Sequence, residues 1–235
     1  MSIVKRFSFF LLPSVFQVVI SVLILPIATY RLGPEEYGIF ALISSITAFG
    51  TVFASMGSSY LMAAHYQIME ESEKRRMIST IFAIGIILAL IFSTIIFGTW
   101  PFWVNQWPSL QAIPKIVIIL SLITMIFSLP WIFASDSIAL DSRAKLFAAV
   151  LIMQSIISSV AVIVSLFIFD MGLVSLFIGA LAGALVVFLG SIFALKKYIS
   201  VVISLDWTKK ILKLGFATVP ANIMETAHTF IERMT

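Results

Sequence analysis

The sequence contains no cysteine among its 235 residues. Disulfide bonds are therefore excluded, together with metal and redox sites built on thiols. Charged residues are also scarce, at 11% of the chain, whereas about a quarter is usual in a soluble domain. Because 61% of the residues are hydrophobic and the mean hydropathy is +1.13, no water-soluble fold could bury this much apolar surface. The composition indicates an integral membrane protein.

Catalytic signatures are missing as well. The sequence has no phosphate-binding glycine loop, no GxSxG nucleophile elbow, no HExxH zinc motif and no aspartate-rich prenyltransferase motif. We therefore predict that the protein is not an enzyme and uses no cofactor and no metal. The pI of about 9.4 does not indicate nucleic-acid binding, because the basic residues lie at the ends of apolar segments and form no continuous patch.

Long apolar runs fill most of the chain. An apolar helix needs roughly 20 residues to cross the hydrocarbon core, and it satisfies its own backbone hydrogen bonds in lipid. The sequence therefore predicts an all-α polytopic bundle with six complete transmembrane helices and the start of a seventh. The predicted spans are 7–29, 38–64, 77–99, 114–135, 146–169 and 173–195, with a last one from about 212 to the end. Short loops are predicted at 31–36 and 170–172.

Lysine and arginine are distributed unevenly over the predicted loops. With a cytoplasmic N-terminus, 12 of the 15 basic residues lie on the inner side of the membrane, as the positive-inside rule requires. Only Arg31 and Lys115 lie outside, and Arg233 falls within the last span. The bias predicts a multi-pass protein with its N-terminus in the cytoplasm.

The chain divides into three predicted parts. Residues 1–199 form an N-terminal six-helix transmembrane lobe, and 214–235 form the first helix of a truncated second lobe. Between them, residues 200–213 alternate apolar and basic side chains, which is typical of an amphipathic segment on the cytoplasmic membrane surface. A surface linker and a lipid-headgroup site both fit this pattern.

Polar residues follow one side of the last predicted helix. At about 100° per residue they cover an arc of roughly 140°, and they are Thr218, Asn222, Glu225, His228, Thr229, Glu232 and Arg233. Such a stripe cannot face lipid, because each ionised group in the hydrocarbon costs about 2.5–3.5 kcal/mol on insertion scales. It predicts the lining of a cavity, with ligand-binding or proton-handling groups; the alternatives are internal pairing, such as Glu225 or Thr229 with Arg233, and an outer helix end that already lies in water.

Charged residues also mark the link between the fourth and fifth spans. Asp136 and Asp141 are five positions apart, about 140° around a helix, so they are not expected to share a face. We predict a gate or headgroup role for Arg143 and Lys145, with an ordinary positive-inside loop as the alternative. The charge run at 70–76 is predicted to be a solvated loop.

The sequence YRLGPEEYGIFAL at residues 30–42 resembles the first-loop signature of polysaccharide biosynthesis and O-antigen (Wzx-type) flippases. These proteins belong to the multidrug/oligosaccharidyl-lipid/polysaccharide exporter superfamily. Residues 57–61, 140–145 and 212–220 resemble further family features: a Gly/Ser turn, a polar and basic link, and the opening of the seventh helix. The acidic–arginine pair Glu232-Arg233 also falls at a family position, where aspartate often replaces this glutamate.

The resemblance implies a transporter of twelve to fourteen helices in two six-helix lobes around a central cavity. It implies alternating-access flipping of undecaprenyl-pyrophosphate-linked oligosaccharides across the bacterial inner membrane, for O-antigen, lipopolysaccharide or capsule biosynthesis. The implied partners are membrane lipid, the lipid-linked substrate and the polysaccharide polymerase machinery. Nucleic acid is not an expected partner. The headgroup or gating candidates are Arg31, Arg143, Lys145 and Arg233, and the candidates for cavity polarity and ion coupling are Asn222, Glu225, His228 and Glu232.

The resemblance covers only the first half of a family member. The chain stops just after Arg233, which predicts a truncated product or a chain that needs a partner or a second copy. A half of a cation-coupled multidrug antiporter is an alternative, although the first three spans carry no acidic residue in mid-membrane. A non-transporting membrane scaffold or remnant is another alternative. A membrane glycosyltransferase or acyltransferase is a further alternative, but the sequence contains no group of residues that could carry out such catalysis.

Overall fold

The computed structural model describes residues 3–106, 110–111, 113–198 and 203–234, with side chains described from Ser8 to Asn222 within those ranges and at Met224. No strand occurs in these ranges, which confirms the all-α prediction. The helices are α1 (Ile3–Ser55), α2 (Ser58–His65), α3 (Glu71–Gln106), α4 (Lys115–Leu140), α5 (Ala144–Phe167), α6 (Val174–Leu195) and α7 (Leu205–Met234).

Five helical segments within the described ranges are long and apolar enough to cross a membrane. The first of them runs over 58 residues from Ser8 to His65. At 1.5 Å per residue such a segment is about 87 Å long, more than twice the thickness of a bilayer core, so it contains both of the first two predicted spans. The protein is therefore a multi-pass membrane protein. α7 is not one of the five, because its polar and charged residues lower its hydropathy, and its membrane crossing stays a prediction.

The first two spans are joined by one residue. The loop predicted at 31–36 is wrong, because only Gly33 departs from helical geometry, with φ 79° and ψ 169°. That region of backbone conformation is essentially restricted to glycine. Pro34 suits the first helical position after the break, and the following Glu35 and Glu36 are favourably placed at a helix N-terminus. α1 thus consists of a first arm (residues 3–32) and a second arm (residues 34–55).

The charge run at 70–76 is not a loop. Residues from Glu71 onward form the first turns of α3, which begins well before the predicted span. Glu71 and Glu73 lie in the first turn, where a carboxylate is stabilised by the helix dipole. Lys74 Nζ lies 3.2 Å from Glu71 Oε1, one helical turn away. The helix therefore includes these charged residues and stabilises Glu71 by an ion pair as well as by its dipole.

Small residues set the distance between α5 and α6. A methyl group on Gly179 would overlap Val162, and one on Gly183 would lie 3.2 Å from the Cβ of Ser158. The Gln154 side chain packs against the same Gly183. The small side chains on the facing sides of α5 and α6 therefore serve packing, because close backbone approach requires small side chains.

The two ends of the bundle differ in charge. At one end, named the basic end, α3 and α7 begin and α4 and α6 finish, and eight lysines and arginines lie in or beside these termini: Lys74, Arg75, Arg76, Arg143, Lys145, Lys196, Lys197 and Lys209. The largest hydrophobic cluster lies towards this end and includes Met77, Ile138 and Tyr198. A smaller cluster around Ile43 and Val117 lies towards the opposite end.

Candidate functional site at a break in the second span

The second predicted span is interrupted at Met56 and Gly57. Both residues have positive φ angles, 45° and 65°, so the helix stops at Ser55 and α2 starts at Ser58. A Cβ atom at Gly57 would also collide with the Thr218 side chain of α7. Glycine is therefore required there by both conformation and space. We call this feature the 56–57 break.

A carboxylate from α4 lies at the 56–57 break. The side chain of Asp136 lies beside Ser59, in the first turn of α2, which has no side-chain cap of its own. A carboxylate near this helix N-terminus interacts favourably with the helix dipole. Asp136 Oδ2 and Ser58 Oγ are nevertheless buried without a hydrogen-bond partner among the described residues. The break thus holds polar atoms that remain available to a ligand, a cation or water.

The start of α7 turns its polar stripe towards the bundle. Ile211 and Gly215 are buried, Gly215 lies against Met56, and Thr218 lies against Gly57. Asn222 continues the same face and is half-buried, with an interaction of its own. Met224 points away and is 73% exposed. The inward face of α7 therefore passes the 56–57 break at Gly215 and Thr218.

For the remaining predicted residues of this stripe, the structure gives only the position along the helix. Glu225, His228, Glu232 and Arg233 lie in α7, which runs as one helix from Leu205 to Met234. Their side chains lie outside the described residues. The division predicted between a linker ending at 213 and a helix starting at 214 falls inside α7, and it stays a prediction.

A network of hydroxyl groups closes the basic end. The Tyr66 hydroxyl lies 2.9 Å from Asp141 Oδ1, 2.9 Å from the Tyr198 hydroxyl and 3.1 Å from Ser137 Oγ. It joins the end of α2 to the ends of α4 and α6. Burial raises the pKa of Tyr66 above its ordinary value, and the Asp141 carboxylate adds to the effect. We call Tyr66, Ser137, Asp141 and Tyr198 the hydroxyl network.

Lys197 extends the hydroxyl network to the surface. Its Nζ lies 4.0 Å from Asp141 Oδ2 and 4.3 Å from the centre of the Tyr198 ring. Hydrogen bonding with Tyr198 raises the pKa of Lys197, and the Asp141 carboxylate contributes in the same direction. Asp141 thus belongs to the hydroxyl network, whereas Asp136 lies at the 56–57 break.

Two of the arginines predicted from the sequence, Arg31 and Arg143, lie at opposite ends of the bundle. Arg31 ends the first arm of α1 and forms an exposed ion pair with Asp170 at 3.0 Å. Arg143 lies before α5 at the basic end, where its Nη1 donates a hydrogen bond to the Ala194 carbonyl at 3.3 Å. Lys145 is exposed in the first turn of α5. The structure therefore separates Arg31 from the Arg143 and Lys145 pair by the length of the bundle.

Sequence reasoning missed Tyr66, Tyr198 and the link between Asp136 and α2. The cost of a carboxylate in hydrocarbon was a usable signal for Asp136, since it implies a polar neighbour. Nothing in the spacing of Tyr66 and Tyr198 indicated that these residues meet.

Comparison with known proteins gives the family and the fold. The model of a family described as "Polysaccharide biosynthesis protein" matches residues 31–234. The structure resembles the Vibrio cholerae MATE transporter VcmN in the bent form, with a TM-score of 0.60 and 15% identity, over 98% of this chain and 53% of that one. A mutant of VcmN gives a TM-score of 0.56 at 14% identity, covering 95% and 53%. The chain thus spans about half the length of these structures, and no curated protein matches it.

Proposed function

The chain belongs to the polysaccharide biosynthesis protein family, and we propose that it forms one lobe of a transporter that flips an undecaprenyl-pyrophosphate-linked oligosaccharide across the bacterial inner membrane. The product would enter O-antigen, lipopolysaccharide or capsule biosynthesis. The observation that carries the proposal is the packing of Thr218, at the start of the polar stripe of α7, against Gly57 of the 56–57 break. Transporters often place their substrate sites at such interrupted helices.

The physical task explains why a polar face is needed inside the bundle. A sugar-pyrophosphate head cannot enter hydrocarbon without a large desolvation cost, whereas its prenyl tail is stable there. A wet cavity beside lipid satisfies both parts of such a molecule. Within this proposal Asn222, Glu225, His228 and Glu232 give the cavity its polarity and couple it to an ion, and Arg233 contacts the anionic head.

The two ends then have separate tasks. We place the basic end and the N-terminus in the cytoplasm, following the positive-inside rule. Arg143 and Lys145 would meet the anionic head as it enters from the inner leaflet, and Arg31 would act where it leaves. The polysaccharide polymerase machinery is the partner proposed to receive the product.

The test uses the complete protein that carries this chain, reconstituted into liposomes with a fluorescent lipid-linked oligosaccharide. Arg233→Ala and Glu232→Ala should abolish flipping and leave membrane insertion intact. Met224→Ala, on the outward side of the same helix, should flip at the rate of the unsubstituted protein. Normal flipping by both the Arg233→Ala and the Glu232→Ala variants would refute the cavity proposed for α7.

A second candidate function is half of a cation-coupled multidrug antiporter. Asp136 favours it, because a buried carboxylate with one unpartnered oxygen suits a cationic drug or a coupling ion. Uptake of a cationic dye by the same liposomes, driven by a proton or sodium gradient, would support this candidate. If neither the oligosaccharide nor the dye moves, the chain acts as a non-transporting scaffold.

A further inference from the structure

A pocket of about 310 Å³ opens at the basic end, where α4 and α6 finish and α5 starts. Its lining consists of Asp141, Arg143, Phe193, Ala194, Lys196 and Lys197, which we name the basic pocket. We propose that the basic pocket binds the phosphate group of an anionic phospholipid. This site is distinct from the 56–57 break, although it shares Arg143 with the entry role proposed above, and its occupation does not require that the protein transports anything.

The charges of the basic pocket favour an anion. Three cations and one carboxylate line it, which leaves a net charge of +2. The carboxylate of Asp141 is already engaged, because Tyr66 donates to Oδ1 and Lys197 lies 4.0 Å from Oδ2. Within the described ranges, neither Arg143 nor Lys196 has an ion-pair partner. Two cations thus remain uncompensated beside one cavity.

The cations are held in position before any ligand arrives. Arg143 is anchored through Nη1 alone, by the Ala194 carbonyl, which leaves its other N–H groups for an oxyanion. Lys196 Nζ lies 5.0 Å from the centre of the Phe193 ring, and Lys197 Nζ lies 4.3 Å from that of Tyr198. Such preorganisation lowers the entropic cost of binding. Arginine in particular suits phosphate, because its planar fork matches two oxygens at once.

An apolar surface leads away from the pocket along α6. Phe193 lines the pocket and is 56% exposed, and Leu189 and Ile192 are exposed beside it on the same helix. In a membrane this surface contacts acyl chains. A ligand with a phosphate and a pair of acyl chains therefore fits both parts, whereas a soluble phosphate ester would use only the first. Basic pockets at the ends of transmembrane helices bind anionic headgroups on this principle.

Native mass spectrometry of the purified protein tests the site. Titration with phosphatidylglycerol should show tighter binding than phosphatidylcholine, which has no net charge, or glycerol 3-phosphate, which has no acyl chains. Arg143→Gln and Lys196→Gln should each weaken phosphatidylglycerol binding about five-fold, the usual effect of one basic residue near an anionic lipid. Lys209→Gln removes the same charge from an exposed position on α7 at the same end and should have no such effect.

A gain-of-binding variant makes the test sharper. Asp141→Asn keeps a hydrogen-bond acceptor for Tyr66 and raises the net charge of the pocket, so phosphatidylglycerol should bind more tightly. Asp206→Asn, at an exposed position of α7, is the matched control. Lys196 is exposed, so its variant reports on the site even if Arg143→Gln fails to fold. Equal binding by pocket and control variants would overturn the site, and equally tight glycerol 3-phosphate would overturn its assignment to lipid.

Discussion

The Tyr66 hydroxyl donates a hydrogen bond to the Asp141 carboxylate over 2.9 Å, although 75 positions separate the two residues. Tyr66 is 1% exposed, and a buried polar group that loses its partner retains its full desolvation cost. This contact therefore stabilises the closed basic end, and it gives the first prediction.

Tyr66→Phe should lower the free energy of unfolding by about 1–3 kcal/mol, because Asp141 and Tyr198 would each lose a partner. Thermal unfolding in detergent micelles measures the change. Tyr30→Phe is the matched control, since Tyr30 is almost fully exposed and its hydroxyl is not buried in the bundle. Equal stability of the two variants would show that the hydroxyl network contributes nothing.

The stability of the protein should fall as the pH rises above about 10. The unfolded chain releases the Tyr66 proton near its ordinary pKa of 10.0, whereas the raised pKa in the folded protein keeps the proton bound. The unfolded state then binds fewer protons, so stability decreases with pH. Lys197 acts in the same direction, because its raised pKa gives stability that is complete below its ordinary value and is lost at higher pH. Unfolding temperatures between pH 8 and 11 measure the slope.

The variant Tyr66→Phe provides the control for this pH dependence. It has no proton to retain at position 66, so its stability should decline less steeply above pH 10 than that of the unsubstituted protein. Parallel pH profiles would mean that other groups cause the decline.

Gly57→Ala should destabilise the protein by about 1–3 kcal/mol, because the new Cβ would occupy a positive-φ position and collide with Thr218. Gly98→Ala is the control: it lies in α3 with nothing within 4 Å, so alanine should be neutral or slightly stabilising there. Combining Gly57→Ala with Thr218→Ala should recover the part of the loss that comes from the collision. Thermal unfolding of the three variants separates strain from crowding.

Asp136→Asn should raise stability by about 1 kcal/mol and lower transport. Burying an unpartnered carboxylate oxygen costs more than burying an amide, whereas the coupling or substrate binding proposed at the 56–57 break would need an ionisable group. Unfolding temperature and liposome transport are measured on the same preparation, with Asp206→Asn as the exposed control. A variant that is both less stable and fully active would contradict the assignment of Asp136 to the site.

The spans were predictable because hydropathy acts locally and lipid imposes a fixed length. The same applies to the small-residue face of α6, since Gly179 and Gly183 lie one helical turn apart. Gln154 and Ser158 of α5 lie against Gly183, but no local rule indicated that these two faces meet. The approach of Tyr66 to Tyr198 over 132 positions depends on the tertiary packing of α2 and α6, which the sequence pattern does not encode in either segment.

The predictions of helix boundaries were wrong for a different reason. Polar residues such as Arg31, Glu35 and Glu71 suggested loops, because a hydropathy profile reports where lipid ends and not where the helix ends. Helices extend beyond the hydrocarbon when charged residues stabilise their first turns, as Glu71 does in α3. The discontinuity at Met56 and Gly57 left no trace in the hydropathy profile, and only the resemblance of residues 57–61 to a Gly/Ser turn pointed to it.

The single-residue joint at Gly33 limits how the first arm of α1 can move. Two dihedral angles of one residue must absorb any change of angle between the arms, and Pro34 fixes the φ angle that follows. The first arm is thus a lever with its pivot at the end of the bundle opposite the basic end, and Pro13 and Pro26 each remove one backbone hydrogen bond within it. A rotation of a few degrees at that pivot would sweep the far tip of the lever across several ångströms of membrane.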